Sequence, residues 1–393
     1  MNILYLSPML IDEEHLDGVA RKLLFQRDAL GSIGENDKIY LASFFSEDKY
    51  LVKGPDFEQS LPFVNKNSKQ LNMFQVYPQI PVVCEDLKID AVYFRMMALS
   101  WVTEKLFSEL HRNNIKIVIE IPTYPFWKEK WMDVVDNLKA KKIGTGIKRA
   151  GTNIVYWFYA HRVRKYVSKI VTFSNITQLW GIDVIGISNG YNFEIPNKET
   201  KLVDKNAPLN LLMVASIRDN HGLDRIINGM INYVKNGGTR EINFHIVGDG
   251  EVIPELKKMA QGNAVVKDHV IFYGFKSGSE LDKIYERADL GVSVLAFHRL
   301  GVTYCSPLKS KEYFAKGLPI IGTSAEEDIM SSPCSKYYFA APQNDLPIDM
   351  KAVVEFYDLL ENEGTTDRDI ILEASKVFDW KSIMKPVYQA FKN

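Results

Sequence analysis

The chain has 393 residues, of which 46% are apolar and 25% are charged, and its net charge is -1 at pH 7. This length favours two domains of roughly 150 to 200 residues. The composition excludes a mainly disordered protein, and the charge balance gives no indication of a nucleic-acid binder. The 3 cysteines are scattered, which argues against a disulfide framework or a zinc site.

The first half alternates short apolar runs with stretches long enough to hold helices. A strand is predicted over the opening run NILYLSP, and a helix over VARKLLFQRDAL after Gly18, where apolar residues recur three and four apart. Further strands are predicted at 38–42, 91–94, 116–121 and 169–173. An open parallel sheet covered by helices explains this alternation.

The second half repeats the same alternation after a polar segment, KETKLVDKNAP, that is typical of a linker. Two domains are therefore predicted, at 1–187 and 188–375. Strands are predicted at 209–215, 242–247, 270–273, 290–295 and 319–322, and helices at 223–235, 253–260, 279–288 and 309–316. Two similar α/β domains follow from this pattern.

The segment SPLKSKEYFAKGLPII indicates a ligand site at a helix start. Ser306 suits the cap of this helix and Pro307 its first turn. Because ligands of open α/β sheets bind beyond the carboxyl ends of the strands, N–H groups near Leu308 and Lys309 are expected to hold a phosphate. Glu312 is expected to accept hydroxyls of a ribose.

This segment resembles the end of the nucleotide-sugar site in GT-B glycosyltransferases of retaining family 4. The stretches LNLLMVASIRDNHGLDRIINGM, HIVGDGEVIPEL and VIFYGFKSGSELDKIYERADLGVSVL are similar to the same family pattern, in order. The resemblance implies an α/β GT-B architecture, with two Rossmann-like domains whose parallel sheets face each other across a cleft. It implies an acceptor domain first and a donor domain second, with a carboxyl-terminal helix at about 376–393 packing back on the first.

Several residues match family positions that bind the donor. The resemblance implies that Glu312 binds the donor ribose and that Phe275 and Lys276 lie on a loop against the base. Gly248 and Gly250 match a loop where missing side chains allow close backbone approach, although a plain tight turn explains them equally well. Gly18 matches the family's first loop.

Other positions depart from the family. Ser216 stands where an arginine is expected and His221 where a lysine is expected, while Arg218 lies nearby and is able to supply charge. Tyr304 replaces the first of two family glutamates, which contacts the transferred sugar. This loss leaves the identity of the sugar open and allows an inactive variant, although Tyr304 or Ser306 is able to hydrogen-bond a sugar.

An acceptor site is predicted where the strand KIVIEIP ends. Glu120 is a candidate proton acceptor or sugar-orienting group, and the aromatic rings of Tyr124 and Trp127 in the following loop are suited to stacking on a sugar. A loop that simply packs over the sheet is the alternative.

A basic stretch runs from Lys139 to Lys169, with nine lysines and arginines, no acidic residue, and interleaved aromatics. It suits an anionic membrane surface, and no apolar run is long enough to span a bilayer. We expect a cytoplasmic protein, in part peripheral on the inner face of the cell membrane. The alternative is a solvated helix packed on the first domain.

The resemblance implies transfer of a sugar from a nucleoside diphosphate sugar, with a UDP-sugar favoured, to an acceptor hydroxyl with retention. The acceptor expected is a lipid-linked or polysaccharide precursor of bacterial surface glycans such as a capsule. No metal and no other cofactor are predicted, since Arg218, Lys309 and helix N–H groups would stabilise the leaving diphosphate. A nucleotide-sugar epimerase or hydrolase, or a non-catalytic partner subunit, are the rival interpretations.

Overall fold

The computed structural model describes residues 1–12, 18–97, 99–122, 131, 134–135, 143–197 and 207–392. The chain divides into two compact units, unit 1 with Met1–Ser188 and Trp380–Asn393, and unit 2 with Asn189–Asp379. The division therefore falls one residue after the predicted one, and the chain returns to unit 1 at Trp380 rather than at about 376.

Unit 1 is built on one sheet with helices around it. Its strands are β1 (Asn2–Leu10), β2 (Lys38–Ser46), β3 (Lys49–Gly54), β4 (Phe57–Leu61), β5 (Ala91–Arg95), β6 (Lys116–Ile121), β7 (Lys169–Thr172), β8 (Gln178–Leu179) and β9 (Ile182–Gly186). Its first helices are α1 (Gly18–Ile33), α2 (Lys69–Val76), α3 (Ile80–Asp86), α4 (Trp101–Arg112) and α5 (Ile143–Val163). Among the described residues, the strand order is β4-β3-β2-β1-β5-β6-β7-β9-β8.

The centre of this sheet is parallel, as predicted. Strands such as β6 are buried on both faces, which is typical of parallel sheets covered by helices. The edge was not predicted. β3 and β4 add to β2 as antiparallel hairpins, and Asp56 turns between them with a φ of 55°, which aspartate tolerates. β1 also passes Pro8 and reaches Leu10, with a register shift after Leu6 that accommodates the missing N–H.

Unit 2 contains a second, wholly parallel sheet. Its strands are β10 (Leu209–Val214), β11 (Ile242–Val247), β12 (Val270–Gly274), β13 (Leu290–Val292), β14 (Ile320–Thr323) and β15 (Tyr338–Ala341). Its helices are α6 (Leu223–Lys235), α7 (Ile253–Gln261), α8 (Gly278–Tyr285), α9 (Leu308–Ala315), α10 (Glu327–Met330), α11 (Met350–Asn362) and α12 (Asp367–Phe378). The order β12-β11-β10-β13-β14-β15 brings the carboxyl ends of all these strands to one edge.

The predicted elements of unit 2 are present within a few residues, while β15, α10, α11 and α12 were not predicted. The largest differences are of three residues: β13 ends at Val292 instead of residue 295, and α8 ends at Tyr285 instead of residue 288. The last helix, α13 (Trp380–Lys392), packs against α1 in unit 1. Across the described ranges, no helix has both the length and the apolar character required to cross a bilayer.

Candidate functional site

Two glycines bring the loops after β10 and β11 together. The Ala215 N–H donates to the Val247 carbonyl at 3.1 Å, and the Ile217 N–H donates to the Asp249 carbonyl at 2.8 Å. A Cβ on Gly248 would lie 1.8 Å from the Ala215 carbonyl oxygen, and a Cβ on Gly250 would lie 1.7 Å from that of Ile217. Both glycines are therefore required for close backbone packing inside unit 2.

His221 lies in a short 3-10 turn, Asp219–His221, and is buried. Its Nδ1 accepts the backbone N–H of Arg218 at 2.9 Å, so Nε2 carries the proton of the neutral ring. Burial lowers the pKa of His221 to about 3, and the charges of Lys309 and Arg218 act in the same direction. His221 is therefore neutral at pH 7, and its Nε2–H is a hydrogen-bond donor.

Lys309, in the first turn of α9, is the cation that faces this turn. Its Nζ lies 3.7 Å from the Met213 sulfur in β10, and it forms no ion pair with any part of the chain that the structure describes. Burial lowers the pKa of Lys309 to about 7, although the carboxylates of Glu326 and Glu312 oppose this shift. An ammonium without a carboxylate partner beside a neutral histidine is an arrangement that favours an anion.

The start of α9 differs from the prediction at one residue. Pro307 occupies the cap position and no side chain caps the helix. Ser306, predicted to be the cap, donates instead to Asp328 at 2.6 Å and accepts the backbone N–H of Asn189 at 2.9 Å. Asp328 lies 22 residues further along the chain, so local sequence contained no signal for this contact. The first N–H groups of α9, from Leu308 onward, therefore lack a side-chain cap.

The other predicted donor residues occupy different environments. Glu312 is half-buried on α9, close enough to Lys309 for its charge to act there. Tyr304 is half-buried, and burial together with Asp328 and Glu327 raises the pKa of its hydroxyl, which keeps it a hydrogen-bond donor. Four more predicted residues lie at or near the surface: Ser216, Arg218, Phe275 and Lys276, the last paired with Glu280 at 3.2 Å.

A cavity of about 180 Å³ lies next to Arg218, between the starts of α6 and α7. Its polar lining includes Asp219, Asp224 and Arg299, and Arg299 donates to both carboxylates. Lys309 and Glu312 do not line this cavity. Of the predicted donor residues, His221, Lys309, Glu312 and Arg218 lie close enough for their charges to act on one another, and Arg218 also lines the cavity.

Sequence reasoning missed a buried polar cluster behind the start of α9. Glu326, between β14 and α10, has no exposed surface and accepts a hydrogen bond from Ser293 at 2.5 Å. Ser293 in turn contacts the hydroxyl of Ser310 at 2.8 Å. Burial raises the pKa of Glu326, and the charge of Lys311 opposes this. The available signal was the acidic run Glu326–Asp328 directly after an apolar strand.

In unit 1, the position of Glu120 differs from the prediction of a carboxylate open to an acceptor. Glu120 has no exposed surface and lies opposite Arg95 in the register of β5 and β6, with which it pairs. Tyr93 and Gln26 also donate to it, at 2.7 and 2.9 Å. Burial by itself would raise the pKa of Glu120, but Arg95 and Lys22 and these hydrogen bonds hold it below its usual value.

The remaining predicted residues of unit 1 add little to the site. Gly18 is exposed as the first residue of α1. Tyr124 and Trp127 lie outside the described residues, so their predicted contact with an acceptor stays a prediction.

Comparisons with known proteins identify the type of domain. Residues 208–354 match the family model described as glycosyl transferases group 1, and no curated protein matches the chain. Three solved structures are similar over nearly their whole length. The lipopolysaccharide outer core galactosyltransferase WaaB, in its apo form, has 12% identity and a TM-score of 0.51, with 100% of this chain and 98% of that one covered.

The second is Anabaena Alr3699/HepE in complex with UDP, with 12% identity, a TM-score of 0.55 and full coverage of both chains, 100% and 100%. The third is an alpha-glucosyltransferase in complex with UDP and a 13-mer DNA, with 10% identity, a TM-score of 0.56, and 100% and 99% covered. At these identities the similarity shows the fold alone, and that fold is GT-B. The predicted fold class is therefore confirmed.

Proposed function

We propose that this glycosyltransferase, whose residues 208–354 match the glycosyl transferases group 1 family, takes a sugar from a nucleoside diphosphate sugar and transfers it with retained configuration. UDP is the favoured nucleotide, since two of the similar structures hold UDP. The acceptor proposed is a hydroxyl of a lipid-linked or polysaccharide precursor of a bacterial surface glycan. The observation that carries the donor assignment is the Lys309 ammonium.

Lys309 supports a diphosphate site because a half-buried ammonium is unfavourable without a counter-charge. The described residues give it only the Met213 sulfur as a partner. The diphosphate would supply the missing negative charge, with the uncapped N–H groups of α9 and the Nε2–H of His221 as further donors. In the reaction, the same groups would stabilise the charge that develops on the leaving diphosphate. Arg218, exposed at the same turn, would add a second cation.

Titration calorimetry with UDP tests this donor site. Lys309→Met removes the ammonium and keeps the length of the side chain, so UDP should bind about 10- to 100-fold more weakly, which corresponds to a charged hydrogen bond of about 1.5–3 kcal/mol. Lys316→Met at the carboxyl end of the same helix, where the lysine pairs with exposed Asp282, is the matched control and should bind UDP as the wild type does. Equal affinity of the two variants would contradict the proposal.

Turnover assays distinguish the proposed transfer from its rivals. Release of UDP from a UDP-sugar should require an added acceptor, since the proposed reaction ends on an acceptor hydroxyl. UDP or a new sugar formed without acceptor would identify a hydrolase or an epimerase. Binding of the donor with no turnover under any condition would identify a non-catalytic partner.

We further propose that α5 docks unit 1 on an anionic membrane. One side of this helix is buried, and Tyr156 donates to the Met97 carbonyl at 2.6 Å. The other side exposes large apolar side chains, with Trp157 at 56% and Ile154 at 62% exposure. Such residues beside basic ones suit the headgroup region. Not all of the basic stretch is available, because Arg162 pairs with Glu104 and Lys169 with Asp183.

Vesicle sedimentation tests this docking. The variant Lys148→Gln should bind vesicles of phosphatidylglycerol and phosphatidylcholine about 5-fold more weakly at low salt, since each basic residue near headgroups contributes about 1 kcal/mol. Trp157→Ser should also weaken binding, whereas Leu359→Ser, equally exposed at 56% in unit 2, should not. If vesicle binding depends neither on the anionic lipid nor on the α5 substitutions, this surface is not the docking site.

A further inference from the structure

The buried cluster behind the start of α9 contains a carboxylate that packing alone does not explain. Glu326, Ser293 and Ser310 all have no exposed surface. Glu326 and Ser310 are joined through the Ser293 hydroxyl, with contacts of 2.5 and 2.8 Å. Ser310 directly follows Lys309 in α9. The cluster therefore connects the loop after β14 to the helix turn that holds the lysine.

Burying a carboxylate costs several kcal/mol unless charges and hydrogen bonds compensate for it. Glu326 is not fully compensated, because its second oxygen, Oε2, is buried and has no hydrogen-bond donor among the residues described in the structure. An apolar side chain of the same size would fill this place at lower cost. The negative charge of Glu326 therefore requires a cation nearby.

Two lysines of α9 are near enough for this charge to act on them. Lys311 already has a carboxylate, Asp328, at 2.7 Å. Among the described residues Lys309 has no such partner, and of the two carboxylates that act on it, Glu326 has the larger effect and Glu312 the smaller. The charge of Glu326 therefore acts on both lysines, while Asp328 pairs with Lys311.

The surroundings of both groups include further titratable side chains. Around Lys309 these are His221 from the 3-10 turn and Glu312 from its own helix. Around Glu326 they are Lys311, Asp328, Tyr313, Tyr338 and Cys305. Burial raises the pKa values of Tyr338 and Cys305 above their ordinary values, so both stay neutral near pH 7 and do not compete as counter-charges.

We propose that Glu326 is a positioning residue of the donor site: through Ser293 and Ser310 its buried carboxylate holds the turn of α9 that presents the Lys309 ammonium to the diphosphate, and its negative charge favours that ammonium. The proposal rests on the proposed function, since it requires Lys309 to bind the diphosphate. Glu326 itself touches neither donor nor acceptor.

The proposal has a pH signature. The pKa of Lys309 is about 7 in the free protein, and a bound diphosphate raises it, so binding takes up a proton above that pH and affinity falls as pH rises. Without the charge of Glu326, the pKa of Lys309 should be lower still. The fall in affinity should then begin at a correspondingly lower pH.

Titration calorimetry with UDP from pH 5.5 to 8.5 measures this effect on wild type, Glu326→Gln and Glu327→Gln. The Glu326→Gln side chain keeps the acceptor for Ser293 and loses only the charge, while Glu327→Gln makes the same charge change at an exposed neighbour. The terminal phosphate of UDP titrates near pH 6 in the same way for all three proteins. The ratio of dissociation constants, variant to wild type, therefore reports the protein alone.

For Glu326→Gln, this ratio should be smallest at pH 5.5, where the largest fraction of Lys309 is charged in both proteins. It should rise about tenfold by pH 8 for each unit by which the pKa of Lys309 has fallen. For Glu327→Gln it should stay near one throughout. A Glu326→Gln ratio that does not change with pH would show a merely structural residue and overturn the inference.

Two further outcomes are separable. Failure of the wild type to bind UDP, or binding that Lys309→Met leaves unchanged, would overturn the proposed donor site and not only the role of Glu326. If Glu326→Gln does not fold, the shorter pair Glu326→Asp and Glu326→Asn replaces it, because its two members differ only in charge. The ratio between them should rise with pH in the same way, and a constant ratio would again contradict the inference.

Discussion

Replacing Glu120 separates a structural role from a catalytic one. The carboxylate accepts hydrogen bonds from Tyr93 and Gln26 and pairs with Arg95, and both charged side chains are buried, at 7% and 0% exposure. Glu120→Ala would leave the Arg95 guanidinium inside unit 1 without its counter-charge. Glu120→Gln would keep the volume and most hydrogen bonds but remove the charge.

The size of the effect follows from the burial. Removing one partner of a buried ion pair costs about 3–5 kcal/mol, since the remaining charge is uncompensated. We therefore expect Glu120→Ala to lower the free energy of unfolding of unit 1 by about this amount. The surface pair of Arg162 and Glu104, with Arg162 at 49% exposure, gives a control, because Glu104→Gln should cost less than about 1 kcal/mol.

Tryptophan fluorescence allows unit 1 to be followed alone. All 6 tryptophans, from Trp101 to Trp380, lie in unit 1, and residues 189–379 contain none. Urea unfolding followed by this signal thus reports the stability of the unit that holds Glu120. Far-ultraviolet circular dichroism, which includes unit 2, provides the comparison that detects separate unfolding of the two units.

The pH dependence has a definite sign. Because the pKa of Glu120 is held below its usual value in the folded protein, the stability from its charge is present above the unfolded pKa of about 4.3. It is lost as pH falls through the lower folded pKa. The difference between wild type and Glu120→Gln should therefore shrink below about pH 4. If Glu120→Ala is as stable as Glu104→Gln, this reasoning is refuted. If a Glu120 variant has normal stability but has lost turnover, the catalytic interpretation of Glu120 is restored.

Two other substitutions probe unit 2. Gly250→Ala should destabilise unit 2 by about 1–3 kcal/mol and weaken UDP binding, because the added Cβ would overlap the Ile217 carbonyl. The thermal unfolding temperature measures this effect. The control is Gly144→Ala, which should change that temperature little because no atom lies within 4 Å of its added Cβ. Lys311→Met should lower the free energy of unfolding by about 3–5 kcal/mol, because Asp328 would stay buried without its cation. Urea unfolding followed by circular dichroism measures this. If the variant is as stable as the wild type, the pair of Lys311 and Asp328 contributes nothing to stability.

The arrangement of elements was largely predictable from the sequence. Apolar runs of four to six residues between helical patterns reflect strands covered on both faces, and this requirement is local. It fixed the parallel centre of both sheets, and the family resemblance placed Lys309 and Glu312 on the helix after β13. The antiparallel β3 and β4 were missed because KYLVKG and FEQSL are short edge strands with exposed charged residues.

The environment of each candidate residue could not be predicted in this way. Ser306 was expected to cap α9 because serine commonly does so, but Asp328 competes for its hydroxyl. Glu326 gave no signal beyond an acidic run, since its partner Ser293 follows a different strand. In both cases the deciding contact joins loops that are distant in sequence.

The sequence by itself determined the α/β alternation, the two-domain division and the loops that carry polar groups, because hydrophobic periodicity and chain turns depend on neighbouring residues. Only the tertiary structure decided which of those groups are charged and accessible. Glu120 is buried because β5 places Arg95 opposite it, and His221 is neutral because packing removes it from water beside Lys309. Desolvation and long-range Coulomb interactions depend on the three-dimensional environment, and residue spacing along the chain does not record it.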